Sequence, residues 1–315
     1  MIQTIQQLQE VVKVSRQLPT LGTLSWWSIQ EARIPVDAFT SAAKSCGIPD
    51  DWLLEPPSAE HAFTQAAKYA ARMLFQRKQV STVKTLDDDK QVIIAITAQL
   101  VRGDGSDPQL DVLAHAVLDR QNLQVSIDGP VDQEKFKSIF DYFLSHYTSQ
   151  DVRDFLLRVI RGRLMALCIR PNGGIYFTQR QFDPDIEKLE RLISLLPGRS
   201  VFLTLGVVDS AKARTNMWQI FQEEMIMTLD KLADEIRTMI ASGHACRKRS
   251  LAARIARLQR ELVKTESYEQ LLEINAQELR DRIAALRGQV EQALASISEA
   301  KEEHDHEEGL LGIAA

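Results

Sequence analysis

The chain has 315 residues, 44% of them hydrophobic, and a formal net charge of −5. That is apolar enough for a packed core, and it excludes both a disordered chain and a global basic field aimed at nucleic acid or anionic membrane. Three widely separated cysteines (Cys46, Cys168, Cys246) show no CxxC or metal-ligand spacing, which fits a reducing compartment rather than a disulfide scaffold. The opening residues lack the cationic and apolar runs of a signal peptide, and no apolar stretch nears the ~20 residues that span a bilayer. A cytoplasmic location without a membrane partner is the expectation.

Ile2 to Gln17 has helical spacing of Ile5, Leu8, Val11 and Val12, ending before Pro19. Leu21 to Ile29 is β-branched and aromatic enough for a strand. Pro35 to Gly47 and the alanine-rich stretch after Ser58 read as helices, the second with Phe63, Ala66, Ala70 and Leu74 on one side. From Val80 to Asp128 the period changes to two. Four strands are predicted there, joined by the acidic or glycine-rich turns at Asp87-Asp88-Asp89, Gly103 to Pro108, and Asp128-Gly129-Pro130. Links this short make an antiparallel meander.

Helices resume over Val131–Tyr147 and Val152–Arg163, with an N-cap in the Thr148 to Asp151 segment between them. Asn172-Gly173 then sits between two apolar runs, the strongest short-range hairpin signal in the chain. Of the next residues, one of Tyr176 and Phe177 is expected to fill the core. The other, with Tyr176 the candidate, would face outward to a partner or a stacked base. A helix from Asp185 to Leu196 leads to a strand at Val201–Leu205.

Two long helical stretches follow, Ser210–Ile240 and Arg247–Lys301. In the second, one heptad register runs without a skip. Ile255, Leu262, Glu269, Ala276, Ile283, Val290 and Ile297 occupy one seam position, and Leu251, Leu258, Thr265, Leu272, Leu279, Leu286 and Ala293 the other. This is the pattern of a two-stranded coiled coil, a rod of about 75 Å if unbroken. Leu251, Ile255, Leu258, Leu262, Leu272, Leu279, Ile283, Leu286 and Val290 are therefore the expected oligomerisation residues. The competing reading folds the two long helices on each other around Gly243 as a hairpin within one chain.

The fold class expected is α+β: an antiparallel sheet body with packed helices, followed by a long C-terminal helical and coiled-coil arm. The expected divisions are 1–130, 131–208, 209–303 and a tail of 304–315. Arg247, Lys248, Arg249, Arg254 and Arg257 form a basic start to the arm and are candidate nucleic-acid contacts. The acids at Asp87–Asp89, Asp104, Asp107 and Asp111 do not match a calcium loop, and His304 and His306 read as a polar terminus, so no metal or cofactor is expected. No GxSxG, HExxH, P-loop or GxGxxG signature occurs.

Trp26-Trp27, Ala62-Phe63 with Ala66, and Gly173 to Phe177, in this layout, resemble a family of uncharacterised proteins from tailed phages and bacteria. The resemblance implies a phage or mobile-element accessory protein and assigns no activity or catalytic residue. The function expected is a non-enzymatic assembly protein, a dimer through its arm, presenting its body to a macromolecular partner. A nucleic-acid-associated factor is the alternative, and an enzyme with a dispersed active site the second.

Overall fold

The computed structural model describes residues 19–30, 33–74, 80–100, 109–129, 131–170, 174–241 and 248–311. The expected helix over Ile2–Gln17, the 103–108 turn, Asp104, Asp107, Asn172, Gly173 and Arg247 lie outside them. The chain is a mixture of helices and antiparallel sheets, and it divides into two compact units, neither continuous in sequence. One comprises residues 27–159 and 185–202; the other comprises 1–26, 160–184 and 203–315.

In the first unit, β2 (Arg33–Pro35), α1 (Val36–Ser45) and α2 (Ala59–Leu74) precede a four-stranded meander. Its strands are β3 (Val80–Asp87), β4 (Gln91–Leu100), β5 (Gln109–Asp119) and β6 (Val125–Ile127), paired in that order. The period-two reading places Val92, Ile94, Ile96, Ala114, Ala116 and Leu118 on one face. There they share a core with Ala62, Phe63, Ala66, Ala67 and Ala70 of α2. Alanine at the contact positions lets a helix backbone lie close to a sheet, and Ser58 starts that helix by accepting the His61 N–H at 3.2 Å. Phe136, Phe140 and Phe143 of α3 (Gln133–Ser145) belong to the same core, so the expected boundary at residue 130 cuts through one packed body.

Next come β7 (His146–Thr148) and α4 (Ser149–Leu157), whose N-cap is a reciprocal box between Thr148 and Asp151. The pairing of β7 with β2 has no sequence counterpart, because three residues are too few to display a strand period. α4 passes into a π-helical turn over Arg158–Arg163. α5 (Asp183–Leu195) buries Ile186, Leu189, Leu192 and Ile193 as its spacing predicts.

The other sheet runs β10 (Val201–Val208), β1 (Thr20–Ser28), β9 (Tyr176–Gln179), β8 (Leu167–Cys168). β9 is paired on both sides, to β8 and to Ser25, Leu24, Thr23 and Gly22 of β1. This corrects the expectation for Tyr176: both aromatics are buried, at 7% and 0% exposure, and Tyr176 offers no outward partner surface. Burial raises its phenol pKa accordingly.

The arm is where the structure departs most from the heptad reading. α6 (Ala211–Ala241) is followed by α7 (Lys248–Leu272) and α8 (Gln277–Leu311), so the expected 247–301 helix is broken. Glu273 adopts φ 55°, and the side chain of Asn275 accepts the Gln277 N–H at 2.8 Å to start α8. Of the two polar seam positions, Thr265 returns its hydroxyl to Glu261 O within α7, and Glu269 bridges the break, accepting the Ala276 N–H and pairing with Arg280. Helices α6, α7 and α8 pack on one another. Leu251, Leu258, Leu272, Leu279, Ile283, Leu286 and Val290 are buried there, with Ile255 and Leu262 packed beside them. They share a core with Met217, Phe221, Met225, Leu229, Leu232 and Ile236, and with Leu21, Leu167 and Phe177 of the sheet. The seam thus finds its apolar cover within its own chain, and the helices share the sheet's core.

A non-glycine residue in the left-handed region carries about 1 kcal/mol of strain. Glu273→Gly is expected to raise stability by about 0.5–1 kcal/mol, less whatever the exposed pair with Arg214 contributes. A denaturant midpoint that falls would show that this pair outweighs the strain.

Candidate functional site

On α2 the alanine face is buried and the opposite face carries His61, Gln65, Lys68 and Arg72 at helical spacings of three and four. β2 sets Arg33 directly across from Thr148, the residue that caps α4. One turn into α4, Arg153 donates to the carbonyl of Ile29. These elements enclose a cavity of about 400 Å³ lined by Arg33, Lys68, Arg72 and Arg153, with Gln65, Thr148, Ser149 and Gln150 between them. Among the described residues that line it, none is acidic.

Among the described residues, no acid pairs with any of these four cations. Arg33 is seated on aromatic faces, its guanidinium carbon 4.7 Å from the Phe143 ring centre, 5.3 Å from Tyr69 and 5.7 Å from Tyr142. Among the described residues, Lys68 and Arg72 have no ion-pair partner. Asp151, in the first turn of α4, is occupied: its carboxylate accepts the Thr148 N–H and hydroxyl at 2.6 and 2.7 Å and faces His61 at 3.4 Å. Thr148, Ser149 and Gln150 bring the N-terminal end of α4 to the same cavity, and the positive end of the helix dipole adds to its potential.

A second hollow of about 300 Å³ adjoins the first, sharing Arg33, Tyr69 and Phe143 and adding Ser138, Ile139 and Tyr142. Tyr142 is 40% exposed and stacks on the His146 ring at 4.0 Å. The arrangement therefore sets a cluster of cations beside an aromatic-walled slot. Chemically it is suited to hold an anionic group and a flat apolar one side by side.

None of these residues was singled out by sequence. The Lys68–Arg72 spacing on one helix face was a visible signal, whereas Arg33 and Arg153 are brought together only by the β2–β7 pairing. Of the basic candidates on the arm, Arg254 and Arg257 both face Glu235, at 3.2 and 3.5 Å, and so are already paired. The side chains of Lys248 and Arg249, like those of His304 and His306, lie outside the described set. The acidic turn is satisfied locally: Asp87 pairs with Lys84 and Arg120, and Asp88 accepts the Lys90 and Gln91 N–H groups. Among the described residues, no group of three or more His, Cys, Asp or Glu could hold a metal ion, and no helix is long and apolar enough to cross a membrane.

Residues 20–302 match the model of DUF6744, a family of unknown function. The chain belongs to that family. The match spans both units, so the cleft and the three-helix core both lie within the family's extent. No curated protein and no solved structure matches the chain.

Proposed function

We propose that this protein is a non-enzymatic interaction protein whose macromolecular partner is a single-stranded nucleic acid, gripped in the cleft between α2, β2 and α4. The observation that carries this reading is the convergence of Arg33, Lys68, Arg72 and Arg153 on one cavity without an acid, next to an open aromatic slot. Phosphates are bound by such cations and bases by such rings, and a strand supplies both at neighbouring positions. Duplex DNA hides its base faces and would leave the slot unused. The net charge of −5 is compatible with this, because the positive field is local. A phage or mobile-element accessory role, implied by the resemblance of sequence layout, is a natural setting for a strand-binding protein.

The test is fluorescence anisotropy of a labelled oligothymidine with the full chain, across a salt series. Binding is expected to weaken with salt, with a log–log slope of about −2 to −3 for three or four neutralised phosphates on a single strand. Lys68→Glu with Arg72→Glu is expected to weaken it by about a hundredfold or more and to flatten the slope. Tyr142→Ala should cost about 1–3 kcal/mol for the oligonucleotide and leave inorganic pyrophosphate binding unchanged. No binding at low salt, or equal binding by the charge-reversed protein, would sink the reading.

A further inference from the structure

We propose that β10 is a self-pairing edge, on which β10 of a second copy docks antiparallel to join two sheets into one. The surface is distinct from the cleft, and the inference stands without the nucleic-acid reading. β10 is the outermost strand of its sheet, hydrogen-bonded on one side to β1. Its other edge has no partner strand among the described residues. A bare edge is a template for pairing, and proteins usually blunt it with a lysine, a proline or a very short strand. β10 has none of these. Its eight residues, Val201-Phe-Leu-Thr-Leu-Gly-Val-Val208, carry no charge and no proline. Val201, Leu203 and Leu205 project from one face of it with 43%, 45% and 58% of their surfaces exposed.

The flanking charges say which occupant fits. Arg199 precedes the strand and Asp209 follows it. A parallel partner would set like charges together at both ends. An antiparallel copy centred on Thr204 sets Arg199 of each chain opposite Asp209 of the other. The same register puts Leu203 of each copy opposite Leu205 of the other, on one face, so four leucines close over the two-fold axis. Two independent features of the sequence thus select a single register. Among the described residues Arg199 has no ion-pair partner. Asp209 already accepts two hydrogen bonds from Arg214 at 2.8 Å, which hold its carboxylate ionised and oriented at the strand's end. A pair formed in this way carries two clefts, so a strand long enough to reach both would be held by two sites at once.

Sedimentation velocity on the full chain, from low to high micromolar concentration, is the first reading. Dimers are expected for the native sequence, and monomers for Leu203→Lys and for Leu205→Lys. Both side chains are exposed, so thermal melting points should match the parent, which separates lost pairing from lost folding. Thr204→Cys reads the register: it should give a disulfide-linked dimer on mild oxidation that the parent, with its own three cysteines, does not give. A native chain that is monomeric throughout overturns the proposal, as does a dimer that survives both lysines. A dimer abolished by the lysines that does not cross-link at Thr204 overturns the antiparallel register.

Discussion

Lys264→Met is expected to cost about 3–5 kcal/mol of stability, the range for removing one partner of a buried ion pair. Lys264 projects from α7 into the three-helix core, where its ammonium donates to Glu224 at 3.0 Å and to the carbonyl of Ala166 at 3.1 Å. The two side chains are only 11% and 15% exposed. Glu224 has a second duty, accepting the backbone N–H of Cys168 at 2.7 Å as β8 begins. Methionine keeps the volume but leaves the carboxylate, among the described residues, with Arg161 at 3.8 Å as its one cationic neighbour, and leaves the Ala166 carbonyl without this donor. Lys264→Met with Glu224→Gln should recover part of the loss, since a neutral amide can still accept from Cys168 without an unpaired charge. Urea denaturation followed by circular dichroism measures both. A loss below about 1 kcal/mol for the single variant would mean that water reaches the pair and that it does not tie α7 to the sheet.

Gly22→Ala is expected to be as damaging by a different route. β1 and β9 run so close at this point that an added Cβ would stand 2.0 Å from the Thr178 carbonyl oxygen and 2.9 Å from the Gln179 Cα. Both obstacles are backbone, and no side chain can swing aside. The strands must separate in the middle of a sheet whose inner face carries Phe177, so the cost should exceed the about 1–3 kcal/mol of ordinary overpacking. Gly288→Ala is the matched control. That glycine sits inside α8 with nothing within 4 Å of the added carbon, so the same exchange should stabilise by about 0.5–1 kcal/mol. Melting curves that move the same way in both variants would contradict the close approach at Gly22.

These positions also mark how far the sequence could be read. The meander was legible because alternation in Val92–Ala98 and Ala114–Leu118 displays one apolar face, and because acidic turns punctuate it. The break in the last long segment was not, although its signal was present. Asn275 is a capping residue followed three positions later by Glu278, yet the heptad passes through it in phase, and periodicity cannot distinguish a seam that covers a neighbour from one that covers a second chain. Lys68 and Arg72 announced a basic helix face, but nothing local connects them to Arg33 or to Arg153, which is 120 residues beyond Arg33. A site assembled by a three-residue strand pair leaves no pattern in either partner. Tyr176 failed for a related reason: strand alternation predicts opposite faces, and a central strand with both faces covered buries both.

The interleaving of the two units bears on the order in which the chain can fold as it is made. The unit that holds the cleft is complete once residue 202 has been synthesised. Residues 20–26 of β1 are made before that unit, yet they belong to a core whose other members include Phe221, Leu258, Tyr268 and Val290. At ribosomal rates of about 5–20 residues per second, the 88 residues from 202 to Val290 (290 − 202) take roughly 4–18 seconds to appear. Through that interval β1 can pair with β9 but lacks the helices that share its core. The cleft-bearing unit can therefore mature before the core that joins β1 to the last helices.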